Sequence, residues 1–322
     1  MPVTFAAAGD PAASVSKLSL KGGKKVGSKK FTVAIDGSRL GFRAARLAAY
    51  MSDIKNGDTV RCVSVAKDMS SDDALKLITS AENQLKEGGF PFMSIAPGEV
   101  IQEKPGVSLA QLLCSAATGG HLVMGAGGMR LQKEWSESKG KSKNKSPAAA
   151  TGSVAMECMA KSHAPVIITK QKATPQIDKD DFFHKRRAGE GMNVVAALSD
   201  PKEPMALKSF DMATRIVQPA DSCYGLHVQG MNTTEALKGY WASECSKAGS
   251  NFAFTCVPSV RMSIDSAIIK YCDDEDGILA DMIILNSAEL AKADGQQIGS
   301  VSAAVAKSTE AHVLISKHFA PL

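Results

Sequence analysis

The stretch Leu122-Val123-Met124-Gly125-Ala126-Gly127-Gly128, followed further on by Thr151-Gly152-Ser153-Val154, decides how the chain is read. A short apolar run closing on clustered glycines has the pattern of a buried strand opening into a tight loop. Gly152-Ser153 then starts an amphipathic helix carried by Val154, Ala155, Cys158 and Met159. Glycines let the backbone turn N–H groups toward one point, and a helix N-terminus adds partial positive charge. Phosphate is the usual occupant of such a concavity. Alone, a Gly-x-x-Gly pair is more often a turn than a ligand site.

A second copy strengthens the ligand reading. Gly152-Ser153-Val154 aligns with Gly299-Ser300-Val301, and Ala164-Pro165-Val166-Ile167-Ile168-Thr169-Lys170 aligns with Ala311-His312-Val313-Leu314-Ile315-Ser316-Lys317, at one constant offset. Upstream, Leu122-Val123-Met124-Gly125 corresponds to Ile283-Ile284-Leu285-Asn286. The chain therefore reads as an internal duplication whose halves can be compared with each other.

Working outward, the first half reads β-α-β-α-β-α-β-α-β. Phe31–Ile35 is a first strand, and Asp36-Gly37-Ser38 is a turn with a helix-capping residue. Leu40, Ala44, Leu47 and Met51 then form one helical face. Thr59–Ala66 is a second strand, and Ala74, Ile78, Ala81 and Leu85 mark a second helix. Residues 92–101 are a third strand that Pro97-Gly98 is expected to shorten. Val107–Ala117 is helical, and strands follow at Leu122–Met124 and Val166–Thr169. The second half repeats the order, from a strand at Asn193–Leu198 to a last strand at Val313–Ser316. Strands alternating with helices argue for parallel sheets covered on both faces. The polar stretch 172–191, with Lys185-Arg186-Arg187 and Pro175, has linker composition.

The 322 residues are 44% hydrophobic and 22% charged, enough for two domains, and no apolar run approaches the ~18 residues of a membrane span. Residues 1–30 hold no continuous apolar segment of signal-peptide type, so a cytoplasmic protein without membrane partners is expected. Seven scattered cysteines without a C-x-x-C pair fit reduced, buried thiols. The net charge of +5 is unevenly placed. Residues 1–30 hold six Lys and one Asp, residues 130–147 hold six Lys/Arg and two Glu, and the remainder is mildly acidic. Aromatics make up only 5% and do not interleave with the basic runs, which argues against nucleic acid as the partner. Asp273-Asp274-Glu275-Asp276-Gly277 fails the calcium-loop pattern, because Cys272 and Ile283 would fall on ligand positions. His121 and His163 flank strands and read as surface or capping groups.

With these motifs in place, the chain resembles a tandem universal stress protein over about residues 30–171 and 192–318. The nucleotide-binding branch of that family carries Gly-x-x-Gly, nine residues, then Gly-Ser/Thr after a fourth strand such as Leu122–Gly125. It also places an Asp directly after strand one, as in Val33-Ala34-Ile35-Asp36 here. Its second strand often reads Leu-His-Val, as in Leu226-His227-Val228. The resemblance implies two Rossmann-like (adenine-nucleotide α-hydrolase-like) α/β domains with five-stranded parallel sheets, joined through their fifth strands as an internal pseudo-dimer. Domain one is 30–171 with a basic insertion at about 129–151, and domain two is 192–318. Residues 1–29 are a disordered basic tail and 172–191 a linker.

ATP or AMP would lie across the carboxyl ends of strands one and four, the switch point of an open parallel sheet. Asp36 would face adenine or ribose beside the backbone of Val65. Gly125, Gly127, Gly128, Gly152 and Ser153 would surround the phosphates. No catalytic residue or metal ligand is assigned; at most slow ATP hydrolysis is expected, and the residues leave a role for Mg²⁺ open.

The halves depart from this motif in opposite ways. In the first, 23 residues (129–151) separate Gly128 from Gly152 where the family has nine, many of them Lys and Ser. A longer loop could clamp phosphate with its lysines or abolish the nest. In the second, Asn286 and Glu289 replace the glycines and Ser199 stands where Asp36 does. Side chains there would restrict positive φ and a Glu would repel phosphate, so this half is expected to be degenerate. Two functions follow. One is a stress-type protein holding ATP or AMP through its first half. The other is a structural or adaptor protein docked on an acidic protein surface, such as a cytoskeletal polymer, through residues 1–30 and 130–147.

Overall fold

The computed structural model describes residues 27–67, 69–128, 151–172, 174–178, 183, 191–202, 204–230, 233–259, 261–274, 277–286 and 298–317. Most of the basic tail, all but the last residue of the insertion at 129–151, and Glu289 lie outside the described residues.

Nine elements alternate through the first half: β1 Lys30–Ala34, α1 Arg39–Met51, β2 Thr59–Ala66, α2 Ser71–Glu87, β3 Ile95–Gln102, α3 Leu109–Ala116, β4 His121–Gly125, α4 Ser153–Lys161 and β5 Val166–Thr169. Nine more follow: β6 Asn193–Leu198, α5 Pro204–Ile216, β7 Ser222–Gln229, α6 Glu235–Ala248, β8 Phe252–Pro258, α7 Ile264–Asp273, β9 Met282–Asn286, α8 Ser300–Ser308 and β10 His312–Ser316. Ser38 caps α1 as the sequence suggests, and two further serines act in the same way. Ser38, Ser70 and Ser108 each accept a backbone N–H of the first turn through their side chains.

All ten strands form one sheet in the order β3-β2-β1-β4-β5-β10-β9-β6-β7-β8. Neighbours are parallel except at the centre, where β5 and β10 pair antiparallel through Ile168↔Val313, Ile167↔Leu314 and Val166↔Ile315. The strand order thus reads the same outward from this pair on both sides. β5 and β10 are buried along their whole length, which is why their centres, Val166–Ile168 and Val313–Ile315, appear in the sequence as apolar runs. Side chains alternate between two cores. Ile167 and Leu314 belong to the layer under α1, α2, α5 and α6, and Val166, Ile168, Val313 and Ile315 to the layer under α3, α4, α7 and α8.

Polar groups cross the central seam in matched positions. Lys170 Nζ donates to the Ala306 carbonyl at 2.6 Å, and Lys317 Nζ donates to the Met159 carbonyl. Each amine thereby serves a last-turn carbonyl of the other half's helix, where no intrahelical N–H is available. Asp58, fully buried, pairs with Lys29 at 2.9 Å, and Lys29 also donates to the Arg215 carbonyl. Asp221 accepts the Tyr50 hydroxyl at 2.6 Å and the N–H groups of Met192 and Gln218.

Three local readings are corrected. Pro97-Gly98 does not shorten β3. The register shifts between Arg61↔Ala96 and Val63↔Glu99, so the dipeptide is absorbed as a bulge on the sheet edge. The strand begins at Ile95 because Phe92–Ser94 is a 3₁₀ turn. His121 is not a surface group. It is buried with its ring 5.0 Å from Phe31, and burial, reinforced by the Lys29 ammonium, pushes its pKa down to about 4. The Lys30 backbone opposes that shift only in part. Within 172–191, Ile177 is buried, Asp178 pairs with Arg43 at 2.6 Å, and Phe183 packs edge-on against Phe90 at 5.3 Å. The polar composition of that stretch concealed these anchors.

Candidate functional site

β1 ends at Ala34, Ile35 is still buried, and Asp36 emerges at the carboxyl edge of the sheet. Gly37, at φ 79°, turns the chain into α1. Ser38 then holds both sides of the turn. Its N–H donates to Asp36 Oδ1 at 3.0 Å, and its Oγ accepts the Gly41 N–H at 3.0 Å. The Ser38 N–H thus orients the Asp36 carboxylate, which faces solvent.

The partner of this turn is the end of β4. Here the glycines serve closeness rather than the positive φ that their clustering suggests: neither Gly125 nor Gly128 has a left-handed backbone. A Cβ on Gly125 would stand 2.8 Å from Leu40 Cβ and 3.1 Å from the Leu40 carbonyl carbon, so this glycine lets the start of α1 pack against β4. A Cβ on Gly128 would stand 2.8 Å from Asp36 Oδ2. Gly152 donates its N–H to the Ala126 carbonyl at 2.6 Å, and Ala126 donates to the Thr169 carbonyl at 2.9 Å, which closes the loop on the sheet edge.

Gly152 is the N-cap of α4, with φ −72° and ψ 164°, and no side chain caps the helix. The first helical bond is Met156 N–H to the Gly152 carbonyl. The N–H groups of Ser153, Val154 and Ala155 precede it and belong to the positive end of the helix dipole. All three residues line a cleft of about 710 Å³. Val63, Leu109, Leu113 and Met124 form its apolar wall, and Asp36 and Lys67 its polar rim. A volume of this order, apolar with few polar groups, suits a small organic ligand.

Every residue singled out from the sequence borders this one cleft: Asp36, Val65, Gly125, Gly127, Gly128, Gly152 and Ser153. The Val65 carbonyl accepts the Lys67 N–H at 2.8 Å. Thr151, not singled out, also lines it, and its hydroxyl accepts Lys170 Nζ at 2.6 Å. The repeat of Lys170 at Lys317 was the available signal for that second residue.

The corresponding place in the second half is built differently. Ser199, in Asp36's position, accepts Trp241 Nε1 on its carbonyl at 3.0 Å. Asn286, in Gly125's position, accepts Ser302 Oγ on its carbonyl at 2.7 Å and Ser316 Oγ on its side chain at 3.2 Å. Ser302 itself replaces Ala155. Two of these bonds end on backbone carbonyls, and the third joins the side chains of Ser316 and Asn286.

Solved structures share the fold that carries this cleft. A putative universal stress protein from Pseudomonas aeruginosa UCBPP-PA14 superposes with a TM-score of 0.58 at 14% identity, covering 90% of this chain and 93% of its own. A universal stress protein from Archaeoglobus fulgidus gives 0.56 at 14%, covering 90% and 97%. This chain has the universal stress protein fold. A functionally unknown protein from Pseudomonas aeruginosa PAO1 shares that fold at 0.58 and 13%, covering 90% and 92%. No family model matches the chain, and no curated protein matches it. Among the described residues, no helix is long and apolar enough to cross a membrane, and no group of three or more His, Cys, Asp or Glu could hold a metal ion.

Proposed function

We propose that the chain is a tandem universal stress protein, two five-stranded domains joined as an internal pseudo-dimer, which binds ATP or AMP in its first half. The constant offset between the halves and the strand order mirrored about β5 and β10 support the tandem reading. So do alignments in which single chains of universal stress fold cover 90% of this one.

One observation carries the binding reading. A single cleft at the carboxyl ends of β1 and β4 brings Asp36 together with the uncapped N-terminus of α4. An apolar wall suits a purine, Asp36 suits its ribose hydroxyls, and three N–H donors on a helix dipole suit its phosphates. The second domain is degenerate, and the role is holding or sensing nucleotide in the cytoplasm, with at most slow hydrolysis. Calorimetric titration of the full chain with ATP and with AMP tests this. One saturable site supports the reading; no binding of either removes it.

Segregation of positive charge favours a second reading, an adaptor that docks on an acidic protein surface through residues 1–30 and 130–147. Such docking weakens as salt shortens the screening length. Deleting 1–26, which spares the buried Lys29–Asp58 pair and the start of β1, together with 131–147 should leave the fold intact and release the protein from its assembly. Unchanged co-sedimentation with unchanged salt sensitivity contradicts it.

A further inference from the structure

Thr151 and Lys170 form a node between the halves. Lys170, fully buried, donates through Nζ to both Thr151 Oγ1 and the Ala306 carbonyl at 2.6 Å, while Thr151 Oγ1 donates to the same carbonyl at 2.7 Å. Three polar groups thereby close a triangle across the seam. Thr151 immediately precedes Gly152, whose own N–H is already bound to the Ala126 carbonyl. The start of α4, whose first residues line the cleft, is pinned on one side to the end of β4 and on the other to the last turn of α8.

The mirror site lacks this tie. Lys317 repeats Lys170 and reaches the Met159 carbonyl, but Ile298 stands at the position of Thr151 and is buried without a hydroxyl. A structural clamp between two equivalent domains needs only the lysines, which both halves have. The added hydroxyl lies in the half that carries the cleft described above.

We infer that Thr151, held by Lys170, is a positioning residue that ties the anion-facing turn of the first-half cleft to helix α8 of the second half. The second half, with no ligand of its own, thereby sets the geometry in which the first half meets phosphate. This inference rests on the nucleotide reading of the cleft. α8 has nine residues, and at about 1.5 Å per residue it links the edge of the second-half site at Gly299 to Thr151. Burial of Lys170 lowers its pKa to about 7, with Asp273 opposing that shift, so the tie sits in a low-dielectric place where each hydrogen bond weighs more.

The test uses the full chain and Thr151→Val, which keeps the shape and removes the hydroxyl. Affinities for ATP and for adenosine are measured, and amide hydrogen exchange is followed without ligand. The expected result is about tenfold weaker ATP binding with adenosine binding unchanged, since only phosphates meet the displaced turn. Exchange should quicken together at residues 152–155 and in the last turn of α8. Thr169→Val, which removes a buried hydroxyl with no hydrogen-bond partner among the described residues, should alter neither readout. Equal loss of ATP and adenosine, or unchanged ATP binding, overturns the positioning role. If the unmodified chain binds neither ATP nor AMP, the nucleotide reading fails, and exchange alone judges the tie: separate or unchanged exchange at the two ends refutes it.

Discussion

Asp36 Oδ2 lies 2.8 Å from where a β-carbon on Gly128 would be, so the carboxylate and the glycine define each other's position at the mouth of the cleft. A larger side chain at Gly128 must displace Asp36 or leave the loop. Gly128→Glu, which copies Glu289 of the second half, adds a carboxylate beside Asp36 and should abolish ATP binding. Because Asp36 is exposed and free to yield, the melting temperature should change little. Calorimetric titration alongside thermal unfolding checks both statements.

Gly125 should behave in the opposite way. Its missing Cβ faces Leu40, which is buried, and the backbone of α1. Gly125→Ala therefore overpacks a core contact and should cost about 1–3 kcal/mol of stability. Denaturant unfolding reads this directly, as a lower midpoint with an unchanged slope.

The buried carboxylates at the seam should be costly to lose. Asp58→Ala leaves the Lys29 ammonium buried and frees the Lys29 and Asp53 N–H groups, which Asp58 accepts at 2.7 Å each. Removing one partner of a buried pair costs about 3–5 kcal/mol. Urea unfolding of Asp58→Ala against Arg61→Ala, whose partner Glu99 is exposed, should show a large loss for the first and a small one for the second.

Acid should weaken the fold through His121. The unfolded histidine binds a proton near its ordinary 6.5, and the buried one only near 4. Between those values the unfolded chain holds more protons, so stability falls as pH drops from 6.5 to 4, by about 3 kcal/mol in all. His121→Leu should flatten that part of the stability curve while leaving neutral-pH stability close to the original. An unchanged acid slope in the variant contradicts the assignment.

How much of this was legible in the chain depends on what kind of force fixed each feature. Leu122–Gly125 and Val166–Thr169 announced themselves because strands buried on both faces must be apolar throughout. The cleft residues were legible because they sit at fixed distances from those strands. The reason for the glycines was not, since closeness to Leu40 and Asp36 is a tertiary fact that φ-based reasoning cannot see. His121 was misplaced because a histidine beside a strand looks polar until the neighbouring Phe31 is known. Lys170, Asp58 and Asp221 look like surface charges in sequence, yet all three are buried in the folded chain.

The central claim is that one adenine nucleotide binds, in the first half, at the ends of β1 and β4. Its most direct test is the stoichiometry of ATP binding to the full chain, compared with Gly128→Glu and with Gly299→Glu at the equivalent edge of the second half. One ATP per chain, lost in Gly128→Glu and kept in Gly299→Glu, is the predicted result. Two sites, or a single site that survives Gly128→Glu and vanishes in Gly299→Glu, would contradict it.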